Sequence, residues 1–308
     1  MDTKNLTDVT LQIIAGTAQH AIQCFLLDRR SRNLSLETLD FYNRELKLFV
    51  RYAHNQGVIM LSDVTPDLIR RYLLDLSQRR NGGGCHAAYR CLRALMIWTW
   101  EEFEIESRNP ITRVEPPRRN TQPLPGVPLE HVARMVDVCR GDKLALRDKS
   151  ILYFLTDTGV RAGELLALEL GDLDLLAGVA TIQHGKGDKR RVVFVGKRTL
   201  KALRAYLKTR RGLTNHSPLF AIGDGQHFKI SGLRSMVERR AKQAGVDCPA
   251  LHDFRRCFAL ECLRNGLDLL TLSRLMGHTS LVVTQRYIDL LDGDMQTAHR
   301  RNSPVDNM

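Results

Sequence analysis

The stretch most informative about the fold of this chain is residues 158–166, which reads Thr-Gly-Val-Arg-Ala-Gly-Glu-Leu-Leu. The stretch follows a helical pattern of apolar residues that ends near Thr158, and it places Arg161 at the mouth of the next helix. Taken alone, Arg161 and Glu164 fit an ordinary ion pair on a helix surface, worth about a few tenths of a kcal/mol. The meaning of the stretch therefore depends on the segments around it.

Three segments downstream carry further side chains suited to chemistry. Two β-branched runs, residues 179–182 and 192–195, flank the turn-like Gly185-Lys186-Gly187 and predict a β-hairpin with Lys186 at its tip. The other two segments read Leu251-His252-Asp253-Phe254-Arg255-Arg256, and Gly277-His278 followed by Tyr287. Each residue alone also fits a structural role, as a turn lysine, a histidine at a helix end or a core tyrosine. Only their combination favours a functional site.

The first part of the chain predicts helices and no strand. Apolar residues recur at helical spacing from Thr10, and Ser35 and Thr65 are suited to cap the second and third helices. The run Gly82-Gly83-Gly84 precedes a fourth helical pattern that extends to Trp100. We therefore predict a small all-helical domain over residues 1–115.

Proline-rich sequence separates this domain from the rest of the chain. Helical periodicity is lost between Ser107 and Pro128, a segment that also carries Arg113, Arg118 and Arg119. A loop this long and rich in proline is uncommon inside a compact domain, so we predict an extended basic linker at residues 116–128.

After the linker, helical patterns return and are interrupted only by the hairpin. They begin at Leu129 and continue over residues 143–158, 199–210, 231–244, 252–265, 269–276 and 281–289. We therefore predict a second domain at residues 129–291 and a polar tail at residues 292–308. The expected fold class is mainly α with a small antiparallel β-hairpin or sheet.

Composition restricts the partners and the compartment. The formal net charge of +12 favours a polyanionic partner, most often nucleic acid, over the alternative of a basic but unrelated enzyme. The 7 cysteines form no C-x-x-C pair, and the spacing of His252, Cys257 and Cys262 matches no metal-ligand pattern. The sequence shows no signal peptide and no apolar stretch long enough to span a bilayer, so we expect a cytoplasmic, nucleoid-associated protein without membrane contact.

In their order along the chain, these segments resemble the motifs of the tyrosine recombinases, also called the phage integrase family. Residues 158–165 look like the first arginine box of the family, Gly185-Lys186-Gly187 like its catalytic lysine turn, and residues 252–255 like its H-x-x-R box. Gly277-His278 followed by Tyr287 is similar to the last box. The helical domain and linker are similar to those of the simple two-domain members, which include chromosome-dimer-resolution and mobile-element recombinases.

Two positions depart from the pattern of the family. Arg256 stands where the family often has histidine, and Phe254 stands where leucine is usual. Neither departure removes a catalytic group, so they leave open only the subgroup.

The resemblance implies a helical core-binding (SAM-like) DNA-binding domain and a mixed α+β catalytic domain. It also implies site-specific recombination, in which Tyr287 cleaves DNA through a covalent 3′-phosphotyrosine and strands exchange through a Holliday junction. By the same resemblance, Lys186 is the general acid for the leaving oxygen, His278 donates a hydrogen bond to a phosphate oxygen, and Glu164 orients a basic catalytic side chain.

The residue types suit this chemistry on their own. Arginine is a permanently charged planar fork that binds phosphate oxygens in pairs, and Arg161 and Arg255 are the two assigned to that role. His252 is the candidate general base for the phenol of Tyr287. The resemblance implies neither a metal nor a cofactor, and the two arginines and the lysine would supply the charge needed at the phosphate.

The expected partners are duplex DNA and further copies of the chain, as a dimer on a site and a synaptic tetramer. A related recombinase or an accessory protein is a further expected partner. Candidate DNA contacts are Tyr89, Arg90 and Arg93 on the fourth helix, for which a packing role is the open alternative, and Arg118 and Arg119 in the linker. The chain begins with the core-binding helices, so we expect no separate arm-binding domain ahead of them.

Two other functions stay open at this stage. A type IB topoisomerase-like enzyme would use the same constellation to relax a single duplex. A DNA-binding regulator with a decayed catalytic domain would have lost a catalytic residue, and the motifs of this sequence are all present.

Overall fold

The computed structural model describes residues 17–118, 125–142, 144–183, 190–223 and 225–277, and also residues 284, 285, 287, 300, 303 and 305. The chain divides into two compact units, residues 1–122 and residues 123–308. The architecture is mostly helical with small antiparallel sheets, which confirms the predicted fold class. No helix in the described part combines the length and the hydropathy that spanning a bilayer requires. The domain and linker limits expected from the sequence remain predictions.

The first unit is built on four described α-helices: α1 (Ala18–Ser31), α2 (Leu36–Asn55), α3 (Pro66–Ser77) and α4 (Gly82–Glu102). The predicted caps of α2 and α3 are present, because the hydroxyl groups of Ser35 and Thr65 accept hydrogen bonds from the N–H groups of Thr38 and Leu68 at 3.3 and 3.2 Å. The helices surround a core in which the rings of Phe25 and Trp98 meet edge to face.

Two helix starts differ from the prediction. The first helix does not run through from Thr10, because Thr17 has an extended backbone and bridges to Met60, so α1 begins at Ala18. The glycine run does not precede α4 but forms its first turn. The side-chain oxygen of Asn81 accepts the Gly84 N–H at 2.9 Å, and this cap starts the helix at Gly82 despite the low helix propensity of glycine.

The first part of the proline-rich segment packs on the first unit. Residues Pro110–Arg113 form a 3₁₀ turn, and Ile111 and Val114 are buried in the helical core. The hydroxyl of Tyr89 on α4 donates a hydrogen bond of 2.7 Å to the Val114 carbonyl. The chain therefore stays attached to the first unit beyond Val114, since the Pro117 carbonyl oxygen lies 3.0 Å from Nδ1 of His86 on α4.

The second unit contains seven described α-helices: α5 (Leu129–Asp137), α6 (Ala145–Thr158), α7 (Ala162–Ala167), α8 (Lys197–Leu207), α9 (Ile230–Ala244), α10 (Leu251–Arg264) and α11 (Leu269–Met276). Their positions follow the predicted patterns to within a few residues. The predicted helix at residues 281–289 and the polar tail lie almost wholly outside the described residues. Helix α6 is central, packing against α5, α8 and α10, and Ile151, Leu152 and Leu155 on it are fully buried.

The described strands form two small antiparallel sheets: β1 (Leu173–Asp174), β2 (Val179–Ile182) and β3 (Arg191–Phe194) in the first, and β4 (Ala221–Ile222) and β5 (Gln226–His227) in the second. The hairpin of β2 and β3 is confirmed, with β3 beginning one residue earlier than predicted. Its register places Ile182 opposite Arg191 and Val179 opposite Phe194. The strands β1, β4 and β5 have two residues each, too few to show an alternating pattern in the sequence.

A buried carboxylate holds α9 against α6. Asp148 has no exposed surface and accepts hydrogen bonds from Arg147 at 2.8 Å, Arg239 at 2.7 Å and Arg240 at 2.9 Å. Arg240, which is also fully buried, extends the network to Asp142 at 2.8 Å. Because loss of the carboxylate would remove the buried negative charge that Arg147 and Arg240 share, a single substitution at Asp148 would cost about 3–5 kcal/mol.

Candidate active site

A sharp turn between α6 and α7 fixes the position of Arg161. Gly159 has a left-handed backbone with a φ of 59°, and a Cβ atom there would lie 2.4 Å from the ring of Phe258. Arg161 follows as the N-cap residue of α7, with an extended backbone. The turn therefore holds Arg161 at the mouth of a helix, where the sequence predicted it.

The carboxylate of Glu164 lies between two arginines. Its Oε2 accepts the backbone N–H of Arg161 at 2.8 Å, and its Oε1 accepts an N–H of the Arg161 guanidinium at 2.7 Å. Arg191 donates to both carboxylate oxygens, at 2.8 and 2.6 Å. Burial alone would raise the pKa of Glu164, but the hydrogen bonds from Arg191 and Arg161 outweigh it and lower the pKa to about 2. Glu164 is therefore ionised at neutral pH and accepts hydrogen bonds from both the backbone and the side chain of Arg161.

Arg255 joins the turn at Gly159 to the end of α11. Its side chain is almost fully buried on α10, where Nη1 donates to the Gly159 carbonyl and Nη2 to the Met276 carbonyl, each at 2.6 Å. Burial, followed by the charge of Arg161, lowers the pKa of Arg255 to about 10, so the guanidinium stays protonated at neutral pH. Two arginines distant in sequence are thus brought to one turn.

His252 stands one helical turn before Arg255 on α10. Its pKa is lowered by partial burial of the ring and by the positive charges of Arg256, Arg255 and Arg161. At neutral pH the imidazole is therefore mainly uncharged and able to accept a proton. Together with Arg161, it lines a cleft of about 610 Å³ whose walls also include Arg234 and Cys248.

Tyr287 lies in a small apolar cluster with Ala259, Leu260, Leu272 and Met276, and only 8% of it is exposed. Burial raises the pKa of its phenol, while the charges of Arg255, Arg256 and Arg161 act in the opposite direction. The phenol therefore stands in the field of the arginines and is protonated at neutral pH. Of the sequence-predicted site residues, the structure brings together Arg161, Glu164, His252, Arg255 and Tyr287.

Three predicted functional residues, Lys186, His278 and Arg119, lie outside the described residues. Their neighbours are described. Ile182 and Arg191 close the hairpin on either side of Lys186, and Gly277, with a left-handed φ of 64°, ends α11 directly before His278.

Arg191 is a residue of the site that the sequence interpretation missed. It pairs with Glu164 across 27 residues of sequence, and its side chain is only 12% exposed. One signal was available: opposite residues of an antiparallel pair share a face, and Arg191 lies opposite the buried Ile182. An arginine whose strand partner is buried needs an acidic partner, and Glu164 is the one that the fold supplies.

The predicted DNA contacts of the first unit divide into two groups. Tyr89 is buried and its hydroxyl is engaged by Val114, so the side chain packs inside the unit and is not part of an exposed surface. Arg90 and Arg93 lie on the exposed side of the same helix, and Arg118 is exposed as well. The prediction for Tyr89 was wrong because the side of α4 that faces the core depends on the packing of three other helices.

The residues described in the structure include no group of three or more histidine, cysteine, aspartate or glutamate side chains arranged to hold a metal ion. Cys257 is buried in the main core of the second unit, and Cys262 belongs to the cluster around Tyr287. These two cysteines therefore act as small apolar packing residues.

The geometry agrees with comparisons to known proteins. The profile of the phage integrase family matches residues 127–293, more than half of the chain. The tyrosine recombinase XerC of Pelobacter propionicus is 32% identical over 268 residues, which cover 83% of this chain and 85% of that protein. The tyrosine recombinase XerD of Halalkalibacterium halodurans is 28% identical and covers 94% of this chain and 99% of its own length.

Solved structures share the fold at lower sequence identity. A lambda integrase (75–356) dimer bound to a COC′ core site has a TM-score of 0.73 and 15% identity, covering 87% of this chain and 97% of that one. The XerH site-specific recombinase bound to its difH substrate has a TM-score of 0.68 and 20% identity, covering 91% of this chain and 83% of that one. By sequence profile and by identity to curated relatives, the chain belongs to the phage integrase family and is an enzyme of the tyrosine recombinase class.

Proposed function

We propose that this chain is a site-specific DNA recombinase that cleaves and rejoins duplex DNA through a covalent 3′-phosphotyrosine on Tyr287, with strand exchange through a Holliday junction. The observation that carries the proposal is the meeting of Arg161 and Arg255 at one turn, with the phenol of Tyr287 in their field. Two fixed cations beside a hydroxyl nucleophile are what phosphoryl transfer to that hydroxyl requires.

Both arginines keep donors for a phosphate. Arg161 donates one guanidinium N–H to Glu164, and its other guanidinium N–H groups meet no acceptor in the described part of the chain. Arg255 uses one N–H on each terminal nitrogen for a backbone carbonyl and retains the rest. A phosphodiester between them would therefore find charged donors already held in place, without reorganisation during the reaction.

The cleavage step is a displacement at phosphorus. The Tyr287 oxygen forms a bond to phosphorus, the bond from phosphorus to the 5′ oxygen breaks, and the phenol proton passes to a base. We assign His252 as that base, because its lowered pKa leaves the imidazole free to accept a proton at neutral pH. We assign Lys186 to protonate the leaving 5′ oxygen and His278 to hydrogen-bond a phosphate oxygen. Reversal by a second 5′ hydroxyl rejoins the strand, so no external energy source is required.

DNA binding is proposed for both units. The net charge of +12 and the exposed Arg90, Arg93 and Arg118 suit phosphate contacts, and Arg119 is retained as a candidate. Solved relatives are named as complexes with DNA, among them the lambda integrase dimer. We propose that this chain acts as a dimer on each site and as a tetramer at synapsis, with a related recombinase or an accessory protein as a further partner.

The test is covalent capture on a nicked suicide DNA that carries the target site. The intact protein should form a covalent adduct, and Tyr287→Phe should form none, because it lacks the attacking oxygen. Tyr153→Phe is the matched control, since Tyr153 is a partly buried tyrosine of α6. An adduct with Tyr287→Phe would refute the nucleophile, and relaxation of any supercoiled plasmid without site preference would indicate a topoisomerase instead.

A further inference from the structure

Arg191 connects three parts of the proposed site. It is the first residue of β3, its guanidinium forms two parallel hydrogen bonds with Glu164, and its aliphatic part lies against Gly277. The fit at Gly277 is close, since a Cβ atom there would be 2.8 Å from Cδ of Arg191. The side chain therefore spans from the arginine turn to the end of α11, directly before His278.

Glu164 accepts hydrogen bonds from two arginines, and each arginine contacts both of its carboxylate oxygens. Each of its oxygens accepts one hydrogen bond from Arg161 and one from Arg191. A carboxylate beside a single arginine favours the two-point fork geometry, which would take up a second guanidinium N–H of Arg161. Because Arg191 occupies the second position on each oxygen, Arg161 gives up only one guanidinium N–H to Glu164.

The net charge of Arg161, Glu164 and Arg191 also supports a role for Arg191 in keeping Arg161 available to a phosphate. Arg161 and Glu164 alone would form a neutral pair, with no net charge for a phosphate. With Arg191 added, the three side chains carry a net charge of +1, and the buried carboxylate is fully compensated. Arg191 therefore restores the positive charge that Glu164 would otherwise cancel.

We propose that Arg191 is a positioning residue for strand cleavage, which acts through Glu164 to keep Arg161 oriented toward the scissile phosphate and to leave the three side chains with a net positive charge. The inference rests on the proposed function, because it concerns the same phosphate. It adds a residue to the site and a physical link between the hairpin that carries Lys186 and the turn that carries Arg161.

The test compares Arg191→Lys and Arg191→Gln with the intact protein in single-turnover cleavage of suicide DNA at saturating protein. We expect about a 10- to 100-fold lower cleavage rate for both variants, since lysine keeps the charge but cannot make the fork. DNA affinity should change much less than the rate. Arg190→Gln is the matched control, because Arg190 is the exposed neighbour in sequence and should leave the rate unchanged.

Two modified substrates separate a positioning role from other roles. A methylphosphonate at the scissile position lacks one negative charge and depends less on Arg161, so the rate deficit of the Arg191 variants should shrink. A 5′-bridging phosphorothiolate has a good leaving group and needs no general acid, so on it the deficit should persist. A merely structural defect would lower the rate on all three substrates alike and would overturn the proposal.

Glu164 provides a further check. If Arg191 acts through Glu164, then Arg191→Gln added to Glu164→Gln should lower the rate little beyond the Glu164 variant alone. Fully multiplicative effects, recovery on the phosphorothiolate, or a wild-type cleavage rate for Arg191→Lys would each overturn the inference and leave the proposed function intact. Failure of the intact protein to form any adduct at Tyr287 would instead overturn the proposed function, and the inference with it.

Discussion

Glu164 is the residue on which the local electrostatics depend. Its side chain is only 5% exposed, yet it is ionised, because Arg161 and Arg191 surround it with donors. A buried carboxylate in this state stabilises the folded protein only while it remains charged, so the stability of the second unit is linked to pH through this group.

The pH dependence follows from the lowered pKa of Glu164. The pKa of Glu164 is about 2 in the folded protein, against an ordinary value of 4.5 for a glutamate, so the stabilisation is complete above about pH 4.5 and is lost as the pH falls toward 2. The shift corresponds to about 3 kcal/mol. We expect Glu164→Gln to lower the free energy of unfolding by about that amount at pH 7 and by less than half of it at pH 3, measured by urea denaturation.

The control for this prediction is Glu238→Gln, which changes an exposed carboxyl group on α9. Its effect on stability should be small and similar at both pH values. A constant difference between Glu164→Gln and the intact protein from pH 7 to pH 3 would contradict the assigned pKa.

At the scale of residues, sequence reasoning is most direct where the spacing is local. Arg161 and Glu164 are one helical turn apart, as are His252 and Arg255, so their motifs can be read directly from the chain. Arg191 was missed because its partner lies 27 residues away across a strand register. Tyr89 was misassigned because burial depends on contacts between elements, which a single helical pattern does not specify.

At the scale of elements, two glycines differ in whether the fold requires a residue without a side chain. Gly159 ends α6 with a left-handed backbone against Phe258, whereas Gly83 lies exposed in the first turn of α4. A Cβ atom at Gly83 would lie 3.5 Å from its nearest neighbour, the capping oxygen of Asn81, which is ordinary van der Waals contact. The first glycine is therefore required by geometry, and the second is not.

We expect Gly159→Ala to destabilise the protein by about 2 kcal/mol or more, because both the backbone conformation and the Phe258 ring oppose a Cβ atom. Gly83→Ala should stabilise it by about 0.5 kcal/mol, because alanine loses less entropy in a helix. Thermal or urea unfolding of the two variants measures the change in the free energy of unfolding and its sign. Equal changes for Gly159→Ala and Gly83→Ala would mean that the turn at Gly159 accommodates a Cβ atom.

The elements that the sequence predicted well are those with long patterns. Helices α2 and α3 begin at the predicted caps, and the hairpin of β2 and β3 was found from its β-branched runs. The start of α4 was misplaced because the Asn81 cap outweighs the low helix propensity of three glycines. Strands of two residues, such as β1, arise from the tertiary fold and leave no periodic signal.

At the scale of the whole molecule, the net charge of +12 should make DNA binding strongly dependent on salt. Replacement of both Arg90 and Arg93 by alanine should reduce the slope of log affinity against log salt concentration by about 2, if each contacts one phosphate. Fluorescence anisotropy with labelled duplex between about 50 and 200 mM salt measures the slope.

A matched control for the salt experiment is Arg71→Ala on α3. Arg71 is also exposed, but it is ion-paired with Asp67 at 2.9 Å and lies on another helix. Its replacement should change the slope less than either Arg90→Ala or Arg93→Ala. An unchanged slope for the double variant would exclude α4 from the proposed DNA interface.

The hydrogen bonds of Arg255 also bear on the order in which the protein gains its activity. One of them closes a loop of 96 residues to Gly159, so it cannot form until most of the second unit has been synthesised and collapsed. Until this hydrogen bond forms, nothing holds Arg161 and Arg255, the two arginines that we assign to the phosphate, close to one another. By the proposed mechanism, a nascent or half-folded chain cannot yet break DNA, because its arginine pair is assembled only when this long-range contact closes.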